Sequence, residues 1–270
     1  MSLNPRHLVL NMLIATDGAP LSAREAVASS ALFGIRENSV RVALVRLAAD
    51  GLIEAEARGT YRLGPKAAEL AQDVRGWRTA ESRVRKWNGR WLGVHAGALG
   101  RSDRAALRRR QRALQLLGFR ELCRGLELRP DNIAGGAAEV RGRLYRLGLE
   151  PEAAVFSLSN LDVEREAKAR ALWNGKVLTQ GYVRSRERLE KWLSRAKELD
   201  LVVAAREAFL IGNDAIRSFI YDPLLPEPLV DEDKRHAFVE TLLAFDRAGH
   251  AIWRELRATG AEQKYDAPTH

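Results

Sequence analysis

Residues 31–63 read ALFGIRENSVRVALVRLAADGLIEAEARGTYRL, and this stretch decides the fold of the first part of the chain. Apolar side chains recur at helical spacing over 40–48, which predicts an amphipathic helix. Asp50-Gly51 then supplies the left-handed stop expected just past a helix. Two extended runs, 52–57 and 60–63, flank Arg58-Gly59 and predict a tight hairpin. A short helix, a stop and a hairpin in this order predict a winged helix-turn-helix.

The outward side of the predicted helix carries side chains suited to the major groove of DNA. Guanidinium groups bind guanine or phosphate, an amide binds adenine, and methyl groups contact thymine. These groups occur at Asn38, Ser39, Arg41, Val42, Val45 and Arg46. On the predicted wing, Arg58, Thr60 and Arg62 are candidates for phosphate or minor-groove contacts, and Lys66 just beyond it is a candidate for phosphate. The alternative is an ordinary amphipathic helix and hairpin with solvated charges.

Two further helices are predicted upstream of this segment. Apolar residues at 8, 9, 12 and 13 form a stripe after Pro5, and a polar break follows at 17–20. Ser22 and Glu25 match a capping box, so a second helix is expected from Ala23 to about Leu32. The third helix lacks an obvious capping side chain, since arginine or glutamate stands at its start. Three helices and a two-stranded wing therefore fit the first part of the chain.

Length and composition bound the rest of the molecule. A chain of 270 residues, 46% of them hydrophobic, is too long for one small DNA-binding module, so two or three domains are expected. No apolar run is long enough to cross a bilayer and the first residues do not resemble a signal peptide, so we expect a soluble, cytoplasmic protein. The single cysteine, Cys123, excludes a disulfide within the chain. The net charge is +9, and the basic excess lies in the first 158 residues, which favours a polyanionic partner.

The middle of the chain predicts a ferredoxin-like domain. Strands at 91–94, 119–123, 126–128 and 153–158, with helices at 102–118 and 137–147, give the order β-α-β-β-α-β. Arginines cluster on the first of these helices, at Arg108, Arg109, Arg110 and Arg112. Arg108 and Arg112 share one face, which is either a further phosphate contact or a solvated surface. A helix from Pro65, strongly charged over 75–86, is expected to connect this domain to the winged helix.

Beyond Asn160 the chain is predicted to be entirely helical. The expected helices are 163–173, 186–199, 201–221 and 233–259, and prolines after Asp222 end the third of them. The fold class is therefore α+β and multidomain. The expected domains are a winged helix-turn-helix with a connecting helix over 1–86, a ferredoxin-like domain over 87–160 and a helical C-terminal domain for effector binding and dimerisation over 161–270.

Three stretches resemble one known family. They are FGIRENSVRVALVRL at 33–47, WNGRW at 87–91 with LGF at 117–119, and RSFIYDPLLP at 217–226. In this order they resemble the PaaX-type transcriptional regulators, whose founding members repress bacterial phenylacetate catabolism. The resemblance implies a homodimeric winged-helix repressor, a central ferredoxin-like domain related to that of CRISPR adaptation nucleases, and a helical C-terminal domain. It also assigns groove reading to Arg36, Asn38, Ser39, Arg41, Val42 and Arg46.

The resemblance further implies a small effector that releases the repressor from its double-stranded DNA operator. Phenylacetyl-coenzyme A is the best-known inducer of the family. After Pro226, however, family members often continue with another proline, a tryptophan and a glycine, whereas LVDEDKR follows here at 229–235. We therefore expect another acyl-coenzyme A thioester. The candidate effector-binding residues are Trp173, Arg217, Tyr221 and Asp222.

Two alternatives belong to other functional classes. A metal-dependent nuclease built on the ferredoxin-like domain needs carboxylates or histidines around a cation, yet the first strand ends in Val94-His95-Ala96-Gly97 without an acid. The five histidines show no spacing typical of a shared metal or a catalytic triad, so we expect no enzyme, no catalytic or metal-binding residue and no cofactor. The other alternative is a constitutive nucleic-acid-binding protein without an effector.

Overall fold

A computed structural model of the chain describes residues 4–16, 18–68, 71, 76–97, 99–100 and 102–259. The helices are α1 (Pro5–Ala15), α2 (Ala23–Ala31), α3 (Glu37–Ala49), α4 (Arg104–Leu116), α5 (Gly136–Arg146), α6 (Val163–Arg170), α7 (Gly175–Arg195), α8 (Leu201–Ile220) and α9 (Glu232–Thr259). The strands are β1 (Leu21–Ser22), β2 (Ile53–Ala57), β3 (Thr60–Leu63), β4 (Trp91–His95), β5 (Arg120–Cys123), β6 (Leu126–Pro130) and β7 (Ala154–Leu158). The protein is therefore mixed α and β, with helical N- and C-terminal regions and two small antiparallel sheets.

The chain forms two compact units. Unit one comprises Met1–Gly76, Lys191–Gly212 and Ala244–His270, and unit two comprises Trp77–Glu190 and Asn213–Leu243. Helices α7, α8 and α9 thus contribute residues to both units. The division into three domains stays a prediction. No helix in the described part of the chain has the length and apolarity required to cross a bilayer.

The helices of unit one begin at well-defined caps. The Ser22 side chain accepts a hydrogen bond from the Glu25 N–H at 3.1 Å, and the Glu25 carboxylate accepts one from the Ser22 N–H at 2.8 Å, which confirms the capping box. Asn4 caps α1, where Pro5 occupies the first helical position. Fully buried side chains of α1 and α3 form the core, among them Leu8, Val9, Leu13, Val40 and Leu47.

The remaining helical segments of unit one pack against the end of α2. Leu32 is buried together with Ala205 of α8 and Leu256 of α9. The Phe33 ring lies 5.1 Å from the Phe209 ring, measured between centroids, and Phe209 lies 6.3 Å from Trp253. The aromatic residues of the C-terminal helices therefore build part of the core that supports the N-terminal helices.

Unit two contains a four-stranded antiparallel sheet in the order β5-β6-β4-β7. The central strand β4 pairs Trp91 with Pro130 on β6 and with Leu158 on β7. Alternate residues of a strand point to opposite faces. One face carries Leu92 and Val94, which share a buried cluster with Leu114 of α4 and Leu144 of α5. The other face carries Gly93, where an added Cβ would lie 2.7 Å from the Phe156 ring.

Three predicted helices differ from the observed ones. The helix predicted from Pro65 is helical over 65–68, but its charged later part is wrong over 76–86, because 76–79 and 81–83 form short 3₁₀ turns and Trp77 is buried. Residues 69–70 and 72–75 of that prediction lie outside the described residues. Helix α7 begins at Gly175 rather than 186, because the Asn174 side chain accepts a hydrogen bond from the Val177 N–H at 3.1 Å and starts the helix earlier. Helix α6 ends at Arg170 rather than 173.

Candidate nucleic-acid interface

Helix α3 separates an apolar side from an exposed side. Val40, Ala43, Leu44 and Leu47 are buried against the other helices of unit one. On the opposite side, Val45 is 68% exposed and Val42 is 42% exposed. The polar residues of this side are exposed at Arg36, Asn38, Arg41 and Arg46 and half-buried at Ser39. All seven candidates for groove reading therefore lie outside the core, and their role stays a prediction.

The electrostatics of α3 favour an anionic partner. Arg41 forms an ion pair with Glu37, with 2.6 Å between nitrogen and oxygen, and both side chains are more than half exposed. Such surface pairs contribute at most about 1 kcal/mol, so a phosphate or a base can compete for the guanidinium group. No side chain caps the N terminus of α3, as the sequence predicted. The positive end of the helix dipole also lies there, and the Glu37 carboxylate in the first turn offsets part of its charge.

The hairpin after α3 presents a second set of basic side chains. The turn between β2 and β3 uses Gly59 in the left-handed region at φ +74°, and Arg58 beside it is exposed. Arg62 pairs across the strands with Glu54 at 2.7 Å. The Ala23 N–H donates to the Gly59 carbonyl at 2.8 Å and ties the tip of the hairpin to the start of α2. Within the described residues, Arg58 has no carboxylate within ion-pair distance, so it is the basic residue of the hairpin best placed for phosphate.

Two acidic residues of this region form ion pairs that were not predicted, although the sequence spacing indicated each pair. Glu37 stands four residues before Arg41, which is the spacing of an ion pair along a helix. Glu54 stands opposite Arg62 in the register of the hairpin. Both carboxylates hold arginines at the exposed surface in the absence of a partner. They therefore weaken the local positive charge while fixing the positions of the guanidinium groups.

Lys66 has a contact at the other end of α3. Its Nζ donates to the Asp50 carbonyl at 3.2 Å, and Arg6 forms an ion pair with the Asp50 carboxylate. A cation at the C terminus of a helix is favourable because the helix dipole is negative there. The observed contact of Lys66 is thus structural, and its contact with phosphate stays a prediction.

The four candidate effector residues fall into different surroundings in unit two. Trp173 is buried and its ring is stacked on Trp91, with 6.2 Å between centroids and 3° between planes. Arg217 is exposed, and Tyr221 is 44% exposed. Asp222 is half-buried and accepts a hydrogen bond from the Leu224 N–H at 2.7 Å. The contacts of Trp173 and of Asp222 involve different neighbours, and a shared effector site remains a prediction.

The Asp222 carboxyl group has a raised pKa. Burial raises the pKa of Asp222 to about 6, although the Tyr182 hydroxyl, the Leu224 N–H and Arg235 act in the opposite direction. Burial also raises the pKa of Tyr182 far above its ordinary value.

No group of three or more side chains suited to holding a metal ion occurs in the described part of the chain.

Two protein-family models match this chain. A model described as PaaX-like protein matches residues 4–67, and one described as PaaX-like protein C-terminal domain matches residues 173–255. Together these matches cover more than half of the chain. The chain belongs to the PaaX-like family. Membership in the PaaX-like family indicates a transcriptional regulator.

A solved structure resembles most of the PaaX-like chain. It is an uncharacterized protein, Rv0674, from Mycobacterium tuberculosis, with a TM-score of 0.58 and 24% sequence identity. The similarity covers 93% of this chain and 100% of that chain and concerns the fold alone. No curated protein matches the PaaX-like chain.

Proposed function

We propose that this PaaX-like chain is a sequence-specific DNA-binding transcriptional regulator that reads the major groove with α3. The observation that carries the proposal is the exposed side of α3, where Val42 and Val45 lie in solvent beside Arg41 and Arg46. Exposed valines flanked by guanidinium groups suit contacts with thymine methyls, guanine and phosphate. The three helices and the β1-β3-β2 sheet further support a winged helix-turn-helix assignment for residues 4–67.

The finer architecture of unit two belongs to the same proposal. The strand order β5-β6-β4-β7, with α4 and α5 packed on one face, supports the proposal of a ferredoxin-like β-α-β-β-α-β fold. We assign no catalytic role to it. The regulator acts as a homodimer whose two α3 helices occupy successive major grooves about one helical turn apart.

Repression and its release follow from a two-state equilibrium of this dimer. The DNA-bound dimer blocks a promoter, and a small effector favours a dimer geometry that no longer matches the groove spacing. The shift cannot exceed the difference between the effector's affinities for the two states. The proposed effector is an acyl-coenzyme A thioester. A thermal-shift screen of such thioesters tests this step, and retained operator binding without a shift by any thioester would favour a constitutive DNA-binding protein.

Arg41→Ala is expected to weaken operator binding by roughly 1 to 3 kcal/mol without unfolding the protein. The side chain is exposed and its ion-pair partner is the surface carboxylate of Glu37, so the fold loses little. An operator is first selected from random duplexes with the full chain. Fluorescence anisotropy titrations of both proteins then measure the affinities. An unchanged operator affinity would reject the groove-reading assignment of Arg41.

Arg58→Ala is expected to reduce affinity for selected and random duplexes alike. Removing one phosphate contact lowers the slope of log K against log salt by about 0.9. Arg206→Ala is the matched control, because it removes an exposed arginine of unit one that has no proposed DNA contact, and its slope should stay near that of the wild type. Titrations at several salt concentrations measure the slopes. A wild-type slope for Arg58→Ala would show that the tip of the hairpin does not touch the DNA backbone.

A further inference from the structure

Helix α4 in unit two carries an unbalanced row of arginines. Its sequence, RAALRRRQRALQL, contains five arginines and no acidic residue. Arg104, Arg108 and Arg112 recur at four-residue intervals and therefore lie along one side of the helix. These three side chains and Arg109 are exposed. In the described part of the chain, none of the four has a carboxylate within ion-pair distance.

The fifth arginine of α4, Arg110, differs from the other four because it is buried and paired with a carboxylate. Arg110 is buried, and its guanidinium group binds Glu150 through two hydrogen bonds of 2.6 and 3.0 Å. The acid next to the row, Asp103, accepts the Ala105 and Ala106 N–H groups at 2.8 and 3.0 Å and caps the helix. These hydrogen bonds lower the pKa of Asp103. The hydrogen bonds of both acids are thus made within the fold, and Asp103 acts on Arg108 and Arg109 only through space, without an ion pair.

Uncompensated like charges at four-residue spacing destabilise a helix. Arg104 in the first turn also lies at the positive end of the helix dipole, where a cation is unfavourable. On two other helices of unit two an arginine does pair with a carboxylate, since Arg170 pairs with Glu166 and Arg186 pairs with Glu190, each at 2.7 Å. The row on α4 therefore has charge complementarity for a polyanion and no evident role in stability.

We propose that Arg104, Arg108 and Arg112 form a second DNA contact that binds the phosphate backbone without reading sequence. The inference rests on the proposed function, since DNA is the polyanion that a transcriptional regulator meets. The row spans about 12 Å at 1.5 Å per helical residue. Duplex DNA carries about one negative charge per 1.7 Å of its axis, so several phosphates face a row of this length. Three guanidinium groups fit such a surface without a specific base sequence.

The experiment compares the full wild-type chain with Arg108→Ala/Arg112→Ala on a selected operator embedded in a long duplex. Removing two phosphate contacts should lower the salt slope by about 1.8. Because of the smaller slope, the double variant should bind roughly 30-fold more weakly than the wild type at about 0.15 M salt. The difference in affinity between the two proteins should shrink as the salt concentration rises. The preference for the operator over a random duplex should not change. Arg108→Lys/Arg112→Lys should retain most of the slope, because lysine still contacts phosphate as a point charge.

Arg186→Ala/Arg188→Ala is the matched control, because it removes the same charge from unit two where Glu190 and Asp214 already balance it. Its slope should stay near that of the wild type. If the wild-type chain prefers no DNA sequence, the proposed function fails and this inference fails with it. If the wild type binds its operator and Arg108→Ala/Arg112→Ala keeps the wild-type slope, the inference alone is overturned. A loss of affinity confined to double-stranded RNA would also overturn it.

Discussion

Val45→Asp is expected to abolish operator binding, with a loss of affinity of about 10³-fold. Val45 is 68% exposed in the middle of α3, where the proposal places it inside the major groove. A carboxylate there meets the negative potential of the duplex, and juxtaposed like charges cost several kcal/mol. The new carboxylate would also stand four residues after Arg41, close enough to neutralise that guanidinium group. Both effects act against binding and leave the core untouched.

The matched control is Val203→Asp. Val203 is 43% exposed near the start of α8 in the same unit, so the substitution adds the same charge to a similar surface. Its operator affinity should stay near that of the wild type, and circular dichroism should show both variants folded. Val45→Asp with wild-type affinity would place α3 outside the groove and would remove the central support for the proposed function.

The sequence predicted the N-terminal region well because local interactions specify it. The capping box at Ser22 and Glu25 involves residues three apart, and the stop after α3 requires only Gly51, which adopts φ +70°. The exposed side of α3 likewise follows from helical spacing, since Arg41 and Arg46 are set opposite the buried Val40 and Leu44. Patterns of three or four residues therefore sufficed to orient the candidate DNA-reading side chains.

The sequence did not predict which side chains far apart along the chain form ion pairs and hydrogen bonds. Arg108, Arg109, Arg110 and Arg112 read as one cluster, yet Arg110 is buried because Glu150, forty residues later, pairs with it. Arg129 is buried in β6 through hydrogen bonds to the Leu117 carbonyl and to the Asn132 side chain. Nothing in a run of arginines distinguishes a buried guanidinium group from an exposed one, because the partner carboxylate or carbonyl is set by the tertiary fold.

Arg235→Ala is expected to lower the free energy of unfolding by roughly 3 to 5 kcal/mol, because removing one partner of a buried ion pair leaves the other unpaired. The Arg235 side chain is fully buried, lies 2.5 Å from the Glu81 carboxylate and also donates to the Leu225 carbonyl. Glu81 is itself only 17% exposed and would keep His236, at 3.1 Å, as a neighbour. Urea unfolding followed by tryptophan fluorescence measures the loss, since unit two contains Trp77 and Trp91 among its buried residues.

Arg186→Ala provides the comparison, because its ion pair with Glu190 lies at the surface with both side chains more than 40% exposed. That variant should lose less than about 1 kcal/mol. Combining Glu81→Gln with Arg235→Met should recover part of the lost stability, because the double variant has no Glu81 carboxylate left without its arginine. If Arg235→Ala is no less stable than Arg186→Ala, the Arg235 pair does not hold the 3₁₀ turn at 81–83 against α9. If the double variant is as unstable as Arg235→Ala alone, the loss comes from the Leu225 hydrogen bond, the Glu232 ion pair and the vacated volume rather than from the Glu81 carboxylate.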